Sequence, residues 1–385
     1  MTGVGDESAY LDFNATAPVR PEVIAAVGDA MRIGGNPSSV HAAGRAARKL
    51  MEDARRSVAA LVGAESTAVT FTSGGTEANA LALGGRDGGT LLASAIEHPS
   101  VLGGGRFAPE AIEFIPVTAV GVVDLEWLEN RLASGPAPDI VSVMLANNET
   151  GAVQPVAEVA RLAHVAGARV HCDAVQAAGR LPIDIVDLDT DYLTLSAHKI
   201  GGPQGVGALV RRDRGVPVVA LNRGGGQERS LRPGTEAVSA IAGFGVAAEL
   251  AAGEIAIQDE LAGLRDWFES ELCTISSETA VFARDSRRLA NTSCFAVSGV
   301  PAETAMIALD LDGVCVSSGS ACSSGKVGRS HVLSAMGVSP DLASGAIRVS
   351  LGWSSERKDV ESFIEAWRRV LAKRDGRRQE VIEAA

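Results

Sequence analysis

Lys199 is the residue with the most chemical promise, because it is the only one of the chain's five lysines that sits at the end of an apolar run. That run, Tyr192–Ser196, continues as Ala197-His198-Lys199. A lysine there is partly withdrawn from water, which lowers its pKa and leaves an amine able to condense with a carbonyl. The plain alternative is a strand-end lysine that extends to solvent. Val170-His171-Cys172-Asp173 is a second apolar run, and it ends in an acid. At the end of a strand in an α/β sheet such an acid faces the ligand crevice. It could hold a proton on a heteroaromatic nitrogen, or it could simply cap a helix.

Thr72-Ser73-Gly74-Gly75-Thr76-Glu77 also follows an apolar run. Two glycines and a free helix N-terminus can bind a phosphate, with Thr76 adding a hydroxyl, although the same residues make an ordinary turn and helix start. The spacing is neither G-x-G-x-x-G nor that of a nucleoside-triphosphate loop. Glu97-His98-Pro99 places a histidine where it could stack on a flat ring and exchange protons, or be merely structural. Cys322 stands in a Ser/Gly-rich tract expected to be a mobile loop, which suits a reactive thiolate and equally an idle exposed thiol. Cys172, Cys294 and Cys315 fall within apolar runs and read as small core residues. Arg348, inside the apolar run Ile347–Leu351, needs an anion, either a bound carboxylate or an Asp or Glu of the protein.

The elements that must position these groups follow from hydrophobic patterning. Val69–Thr72, Thr90–Ser94, Ile112–Pro116, Ile140–Ala146, Arg169–Asp173, Tyr192–Ser196 and Gly205–Arg211 read as buried strands. Thr76–Leu83, Leu125–Ala133 and Val156–Ala166 between them carry a helical period, and strands alternating with helices imply a mainly parallel sheet of the α/β class. After the glycine-rich stretch 223–234 the chain is helical to about Ser276. It then alternates strands (Thr292–Ser298, Val314–Ser317, Ala346–Leu351) with helices (Ala302–Leu309, His331–Met336, Glu356–Lys373), a smaller α+β unit. The length of 385 residues suits two or three domains.

The net charge of -12 argues against nucleic acid as a partner, since the clusters Arg211/Arg212/Arg214 and Arg374/Arg377/Arg378 are too small to bind a phosphate backbone. The weakly charged stretch Ala237–Ala248 is shorter than the roughly 20 residues a bilayer needs, and it reads as a buried helix. Residues 1–10 lack signal-peptide character, so a cytoplasmic location is expected. Five cysteines without a C-x-x-C pair suggest neither a disulfide framework nor a metal site.

Taken together, these segments resemble the cysteine desulfurases, pyridoxal-phosphate enzymes of aminotransferase class V with fold type I. The resemblance runs from Tyr10-Leu11-Asp12 to Arg348. It includes Gly35–Ser39 with His41, Thr72–Asn79, Glu97-His98, Asn147-Asn148-Glu149-Thr150-Gly151, Asp173 with Gln176, Ser196 to Lys199, Gly224–Glu228, Arg232 with Gly234-Thr235, and the Ser317–Cys322 loop that sets desulfurases apart. It implies a large domain with a mainly parallel seven-stranded sheet (residues 21–250) and a smaller α+β domain carrying the cysteine loop (251–385). Residues 1–20 would pack with the small domain. Lys199 would bind pyridoxal 5'-phosphate covalently, Asp173 would pair with the ring nitrogen, Gln176 would bond the ring's phenolic oxygen, and His98 would stack on the ring. Gly75, Thr76, Ser196 and His198 would hold the phosphate, joined by Thr235 from the second subunit of a homodimer. Asn148 would lie beside cofactor and substrate, and Arg348 would clamp the substrate carboxylate.

The implied reaction converts L-cysteine to L-alanine and leaves the sulfur as a persulfide on Cys322. Lys199 and His98 would move protons, and an iron–sulfur scaffold or another acceptor protein would take the sulfur. The length between Cys322 and Arg348 matches the long-loop relatives of iron–sulfur and nitrogenase maturation. A selenocysteine lyase, a class V aminotransferase and a non-catalytic sulfur-transfer scaffold are the alternative readings. The N-terminal signature departs from the family pattern, since Asn14-Ala15-Thr16-Ala17-Pro18 lacks a second threonine, and that change is expected to leave the catalytic set untouched.

Overall fold

The computed structural model describes residues 8–84, 88–319 and 329–383. Cys322 lies outside them. The first part of the chain forms β1 (Ala9–Tyr10), α1 (Pro21–Ile33), α2 (Ala42–Leu61), β2 (Val69–Thr72), α3 (Gly75–Ala82), β3 (Leu91–Ser94), α4 (Pro99–Leu102), β4 (Ile112–Ile115), α5 (Leu125–Ser134), β5 (Ile140–Ser142), α6 (Val156–Val165), β6 (Arg169–Asp173), β7 (Tyr192–Ser196) and β8 (Gly207–Arg211). The second part forms α7 (Val238–Gly253), α8 (Gln258–Ile275), β9 (Thr279–Val281), β10 (Thr292–Val297), α9 (Ala302–Leu311), β11 (Val314–Cys315), β12 (Ser317–Ser318), α10 (His331–Ala335), α11 (Pro340–Ser344), β13 (Ile347–Ser350) and α12 (Arg357–Glu383).

Strands β2 to β8 form one seven-stranded sheet in the order β2-β8-β7-β6-β5-β3-β4. Neighbours among β3 to β7 are parallel, whereas β8 runs antiparallel to both β7 and β2. Every residue of β2, β3, β5, β7 and β8 is buried, as expected of strands covered on both faces. Strands β2, β3, β5, β6 and β7 therefore point the same way, and their carboxyl ends open on one side of the sheet. The regular ladder of β5 stops at Ser142, short of Ala146, but Val143 and Leu145 still donate to the carbonyls of His171 and Asp173 at 3.0 and 2.9 Å.

Helix α2 buries Ala47, Met51, Ala54, Val58 and Leu61, a spacing of three and four that puts them on one face. Helix α7 packs between α1 and α2, and its glycines permit the close approach: a Cβ on Gly245 would lie 2.6 Å from Ala54 Cα, and one on Gly243 2.7 Å from Val27 Cγ2. Its apolar length therefore serves the protein interior. The second part has a core of its own, in which Phe268, Phe295, Phe363 and Trp367 meet mostly edge to face at centroid distances of 5.1 to 6.1 Å. That core backs the antiparallel sheet β12-β13-β10-β9.

The expected strand Val314–Ser317 is two strands. β11 pairs in parallel with β1, while β12 pairs with β13, so the chain changes partners at Val316 to admit the N-terminus. From β1 the N-terminal segment crosses to the large sheet. Asn14 N donates to Ser350 Oγ at 2.9 Å, and Ala17 N donates to the His198 carbonyl at 2.8 Å.

Gly207 on β8 lies against the turn that starts α3, where an added Cβ would sit 2.6 Å from Gly74 C and 2.7 Å from Leu195 O. Backbone cannot yield as a side-chain tip can. Gly207→Ala is expected to destabilise the protein by about 1–3 kcal/mol and to weaken anion binding at the α3 N-terminus, checked by thermal melting and phosphate-ligand titration.

Candidate active site

The carboxyl ends of β2, β3, β6 and β7, with the segment that follows β5, surround a cavity of about 260 Å³. Gly75, Thr76, His98, Asn148, Asp173, Gln176, Ser196, His198, Lys199 and Arg348 all line it, although they come from segments far apart in the chain. Thr235 is exposed and does not line the cavity within this chain. Among the described residues, no group of three or more His, Cys, Asp and Glu side chains is placed to hold a metal ion.

Asp173 is buried at 6% exposure, and its carboxylate accepts from Asn79 Nδ2 at 2.7 Å and Val175 N at 3.0 Å. Lys199 Nζ donates to the carbonyls of Asn14 and Ala15 at 2.6 and 2.7 Å. Gln176 Nε2 donates to the same Asn14 carbonyl at 3.0 Å, while its Oε1 accepts from Arg180 Nη1 at 2.5 Å. Burial first, and the Lys199 charge second, press His198 down to about 4, so its ring is neutral at pH 7 with Nδ1 3.2 Å from Thr16 Oγ1. Arg348 finds its anion in the protein: Nη2 is 2.8 Å from Asp12 Oδ1, Nη1 donates to the Asn148 carbonyl at 3.0 Å, and its buried Nε has no hydrogen-bond partner among the described residues.

Burial lowers the His98 pKa, with Lys199 and His331 adding to that and Asp173 opposing it. Two carboxyls stand behind the cavity wall. Glu97 is raised to about 8 by burial, and its Oε1 accepts from Met144 N and Ser94 Oγ at 2.7 and 2.8 Å. Glu149 is raised to about 7, again by burial, and accepts from Ser330 Oγ at 2.5 Å. His171, beneath Asp173, is pressed to about 4 by burial and bonds Ser142 and Thr194.

Sequence reasoning missed the N-terminal contribution. Asn14, Ala15, Thr16 and Ala17 touch Lys199, Gln176 and His198 directly, and Ala17, where the family signature has its second threonine, does so through its backbone N–H. The segment carries no catalytic residue type, and its contacts run through backbone carbonyls that no motif displays. Asn79, which closes the signature segment Thr72–Asn79, and Ser100 carry no role in the sequence reading, although both line the cavity. Cys172 and Cys294 are fully buried in the core, as their apolar runs imply, whereas Cys315 is only half-buried, which corrects the reading of that one residue.

An amine, a carboxylate, an imidazole and an anion-binding helix end in one cavity meet the needs of pyridoxal chemistry. The chain matches the family model for aminotransferase class-V over residues 9–363. A cysteine desulfurase of Cereibacter sphaeroides is 42% identical over 370 residues, covering 93% of this chain and 94% of that protein. The cysteine desulfurase IscS of Dictyoglomus turgidum is 39% identical over 375 residues, covering 94% of each. The chain belongs to the cysteine desulfurases of aminotransferase class V. Among solved structures, a NifS-like protein from Rickettsia africae superposes with a TM-score of 0.87 at 37% identity, covering 95% of this chain and 100% of that one.

As a member of this family it is a pyridoxal-phosphate enzyme, and the residues present fit that cofactor. Helix α3 starts without a side-chain cap, so its first N–H groups are open to a phosphate, and a Cβ at Gly74 would meet nothing within 4 Å. Ser196 and the neutral His198 face the same cavity. Asp173, held at the end of β6, would supply the carboxylate that a protonated ring nitrogen requires.

The two raised carboxyls make stability pH-dependent. A buried acid whose folded pKa lies above the ordinary 4.5 costs nothing while both states are protonated, and its penalty grows as pH rises through 4.5 to its folded value of about 7 or 8. Stability is therefore expected to fall between pH 5 and 9, by on the order of a few kcal/mol. Denaturant melts of Glu97→Gln should show a flatter profile across that range.

Proposed function

We propose that this cysteine desulfurase converts L-cysteine to L-alanine, keeps the sulfur as a persulfide on Cys322 and passes it to an acceptor protein such as an iron–sulfur scaffold. The observation that carries the reading is the meeting of Lys199, Asp173, His98 and Arg348 in one cavity. A solved relative, SspA, was determined in complex with cysteine, and it is 30% identical with a TM-score of 0.77 over 89% of this chain.

Lys199 would hold pyridoxal phosphate through Nζ, Asp173 would keep the ring nitrogen protonated and Gln176 would bond the phenolic oxygen. Gly75, Thr76, Ser196 and His198 would bind the phosphate. When bound, the cofactor supplies an electron-accepting ring that acidifies the substrate α-carbon. Lys199 Nζ is the base placed to take that proton, and His98, neutral at pH 7, can exchange protons with the substrate. Arg348 would receive the substrate carboxylate on its free Nε edge, beside Asn148. The Cys322 sulfur then forms an S–S bond to the substrate sulfur as the substrate's Cβ–S bond breaks. The bonding pair stays with carbon, which gains a proton and leaves as alanine, so no external oxidant is needed.

Cys322 is favoured over the other thiols because none of Cys172, Cys273, Cys294 and Cys315 lines the cavity, and burial pushes the Cys172, Cys294 and Cys315 thiols up, away from the reactive thiolate. Gly319 and Ser330, which flank the segment holding Cys322, both adjoin Glu149, the neighbour of the cavity residue Asn148. The reading also includes a cytoplasmic homodimer. Free thiols at all four described cysteines suit a reducing compartment. Exposed Ile24 and Met31 on α1 suit a subunit contact, and Thr235 of the partner subunit would complete the phosphate site.

Cys322→Ala is expected to retain the visible absorbance of bound cofactor and to lose sulfur release from cysteine by about a hundredfold or more, whereas Lys199→Ala should lose both. Sulfide assays and mass spectrometry of the cysteine-treated protein check this, and a wild-type rate in Cys322→Ala would exclude Cys322 as the nucleophile.

A further inference from the structure

Asn79 sits on the inner face of α3 at 1% exposure, where its single amide nitrogen serves two partners. Nδ2 donates to Asp173 Oδ2 at 2.7 Å and to Ser100 Oγ at 2.9 Å. Both amide hydrogens are thereby used, and the buried Oδ1 has no hydrogen-bond partner among the described residues. The orientation is forced, because turning the amide over would set its oxygen against the Asp173 carboxylate. Since Ser100 Oγ accepts from Asn79, its own hydrogen is free to point at His98 Nδ1, 2.7 Å away, and Ser100 N donates to the same nitrogen at 3.1 Å. With two donors aimed at Nδ1, the ring proton of neutral His98 resides on Nε2.

We propose that Asn79 is a positioning residue that couples the two sides of the cofactor site, orienting the Asp173 carboxylate and, through Ser100, fixing the tautomer of His98. A buried orphan oxygen is destabilising, so the arrangement costs fold stability and secures a single proton arrangement instead. The Asp173 charge selects the amide orientation, the amide selects the hydroxyl orientation, and the hydroxyl selects which imidazole nitrogen can accept a proton. Helix α3 thus contributes through its interior as well as its N-terminus. The charged and titratable groups that face His98 are Asp173, Lys199 and His331. The donors at Nδ1 are the Ser100 backbone N–H and the Ser100 hydroxyl, and Asn79 sets the orientation of the hydroxyl.

The coupling rests on the roles proposed for Asp173 and His98, and its test separates the two. Histidine titration by NMR in cofactor-free protein reads the hydrogen-bond chain, and pyridoxal phosphate titration reads the cofactor side. For Asn79→Ala, cofactor affinity is expected to fall about tenfold or more, the loss of one charge-assisted hydrogen bond. The His98 midpoint should rise by about half a pH unit, because the released Ser100 hydroxyl can turn and accept from a protonated Nδ1. Ser100→Ala should raise the His98 midpoint while leaving cofactor affinity within about twofold, since the Asn79–Asp173 bond remains. Asn79→Ser, which conserves one small polar group, gives the same reading if the alanine variant folds poorly, and thermal melts control for folding. An Asn79 variant that weakens cofactor binding but leaves the His98 titration unchanged overturns the coupling, as does one that changes neither. Wild-type protein that takes up no pyridoxal phosphate overturns the functional reading instead, a failure visible before any substitution.

Discussion

Asp173 and Arg348, both buried, and Lys199, partly buried, bring a carboxylate, a guanidinium and an amine to one cavity, and much of the surrounding structure follows from the demand to satisfy them. Each charge is met by local dipoles or by an opposite charge: Asp173 by an amide and a backbone N–H, Lys199 by two carbonyls, and Arg348 by Asp12 and the Asn148 carbonyl. Buried charges left unpaired cost several kcal/mol each, so the groups that satisfy them are as tightly placed as the charges themselves. Two of these arrangements use the N-terminal segment. Its pairing with β11 and its contact with Ser350 are what carry Asp12 and Asn14 to the site.

The same demand explains the neutrality of the surroundings. Glu97, Glu149, His171 and His198 are buried nearby, and each has its pKa moved toward its uncharged form. Burial is the leading cause in all four, because a low-dielectric surrounding penalises the charged form. Lys199 and Asp173 then act in a field set by few charges, which favours proton transfer and anion recognition over diffuse electrostatics.

The sheet supplies the directionality. Five of the six strands of common sense end at the cavity, each releasing its chain into a turn or helix there. Helix α3 follows β2, His98 follows β3, Asn148 follows β5, Asp173 ends β6 and Lys199 follows β7. The antiparallel β8 fills the gap between β2 and β7, and Gly207 there allows the α3 turn to sit close. The C-terminal unit adds Arg348 from β13, so the site draws on both halves of the chain.

The strands, the α/β class and the residues able to do chemistry were legible in the sequence, because buried strands are apolar runs and because Lys199, Asp173 and His98 are residue types whose placement at strand ends is visible in one dimension. The sequence alone also restricted the reactive thiol to few positions and marked the small-residue tract around Cys322. Other features needed three dimensions. The partner change at Val316 depends on where the N-terminus docks, the Arg348–Asp12 pair joins residues 336 positions apart, and the carbonyls of Asn14 and Ala15 belong to the backbone, which every residue shares. Asn79 is one amide among many until folding places it between Asp173 and Ser100. Side-chain chemistry is thus written locally in the sequence, whereas the pairing and the proton position that tune it depend on which distant groups share a low-dielectric space, and only the tertiary structure decides that.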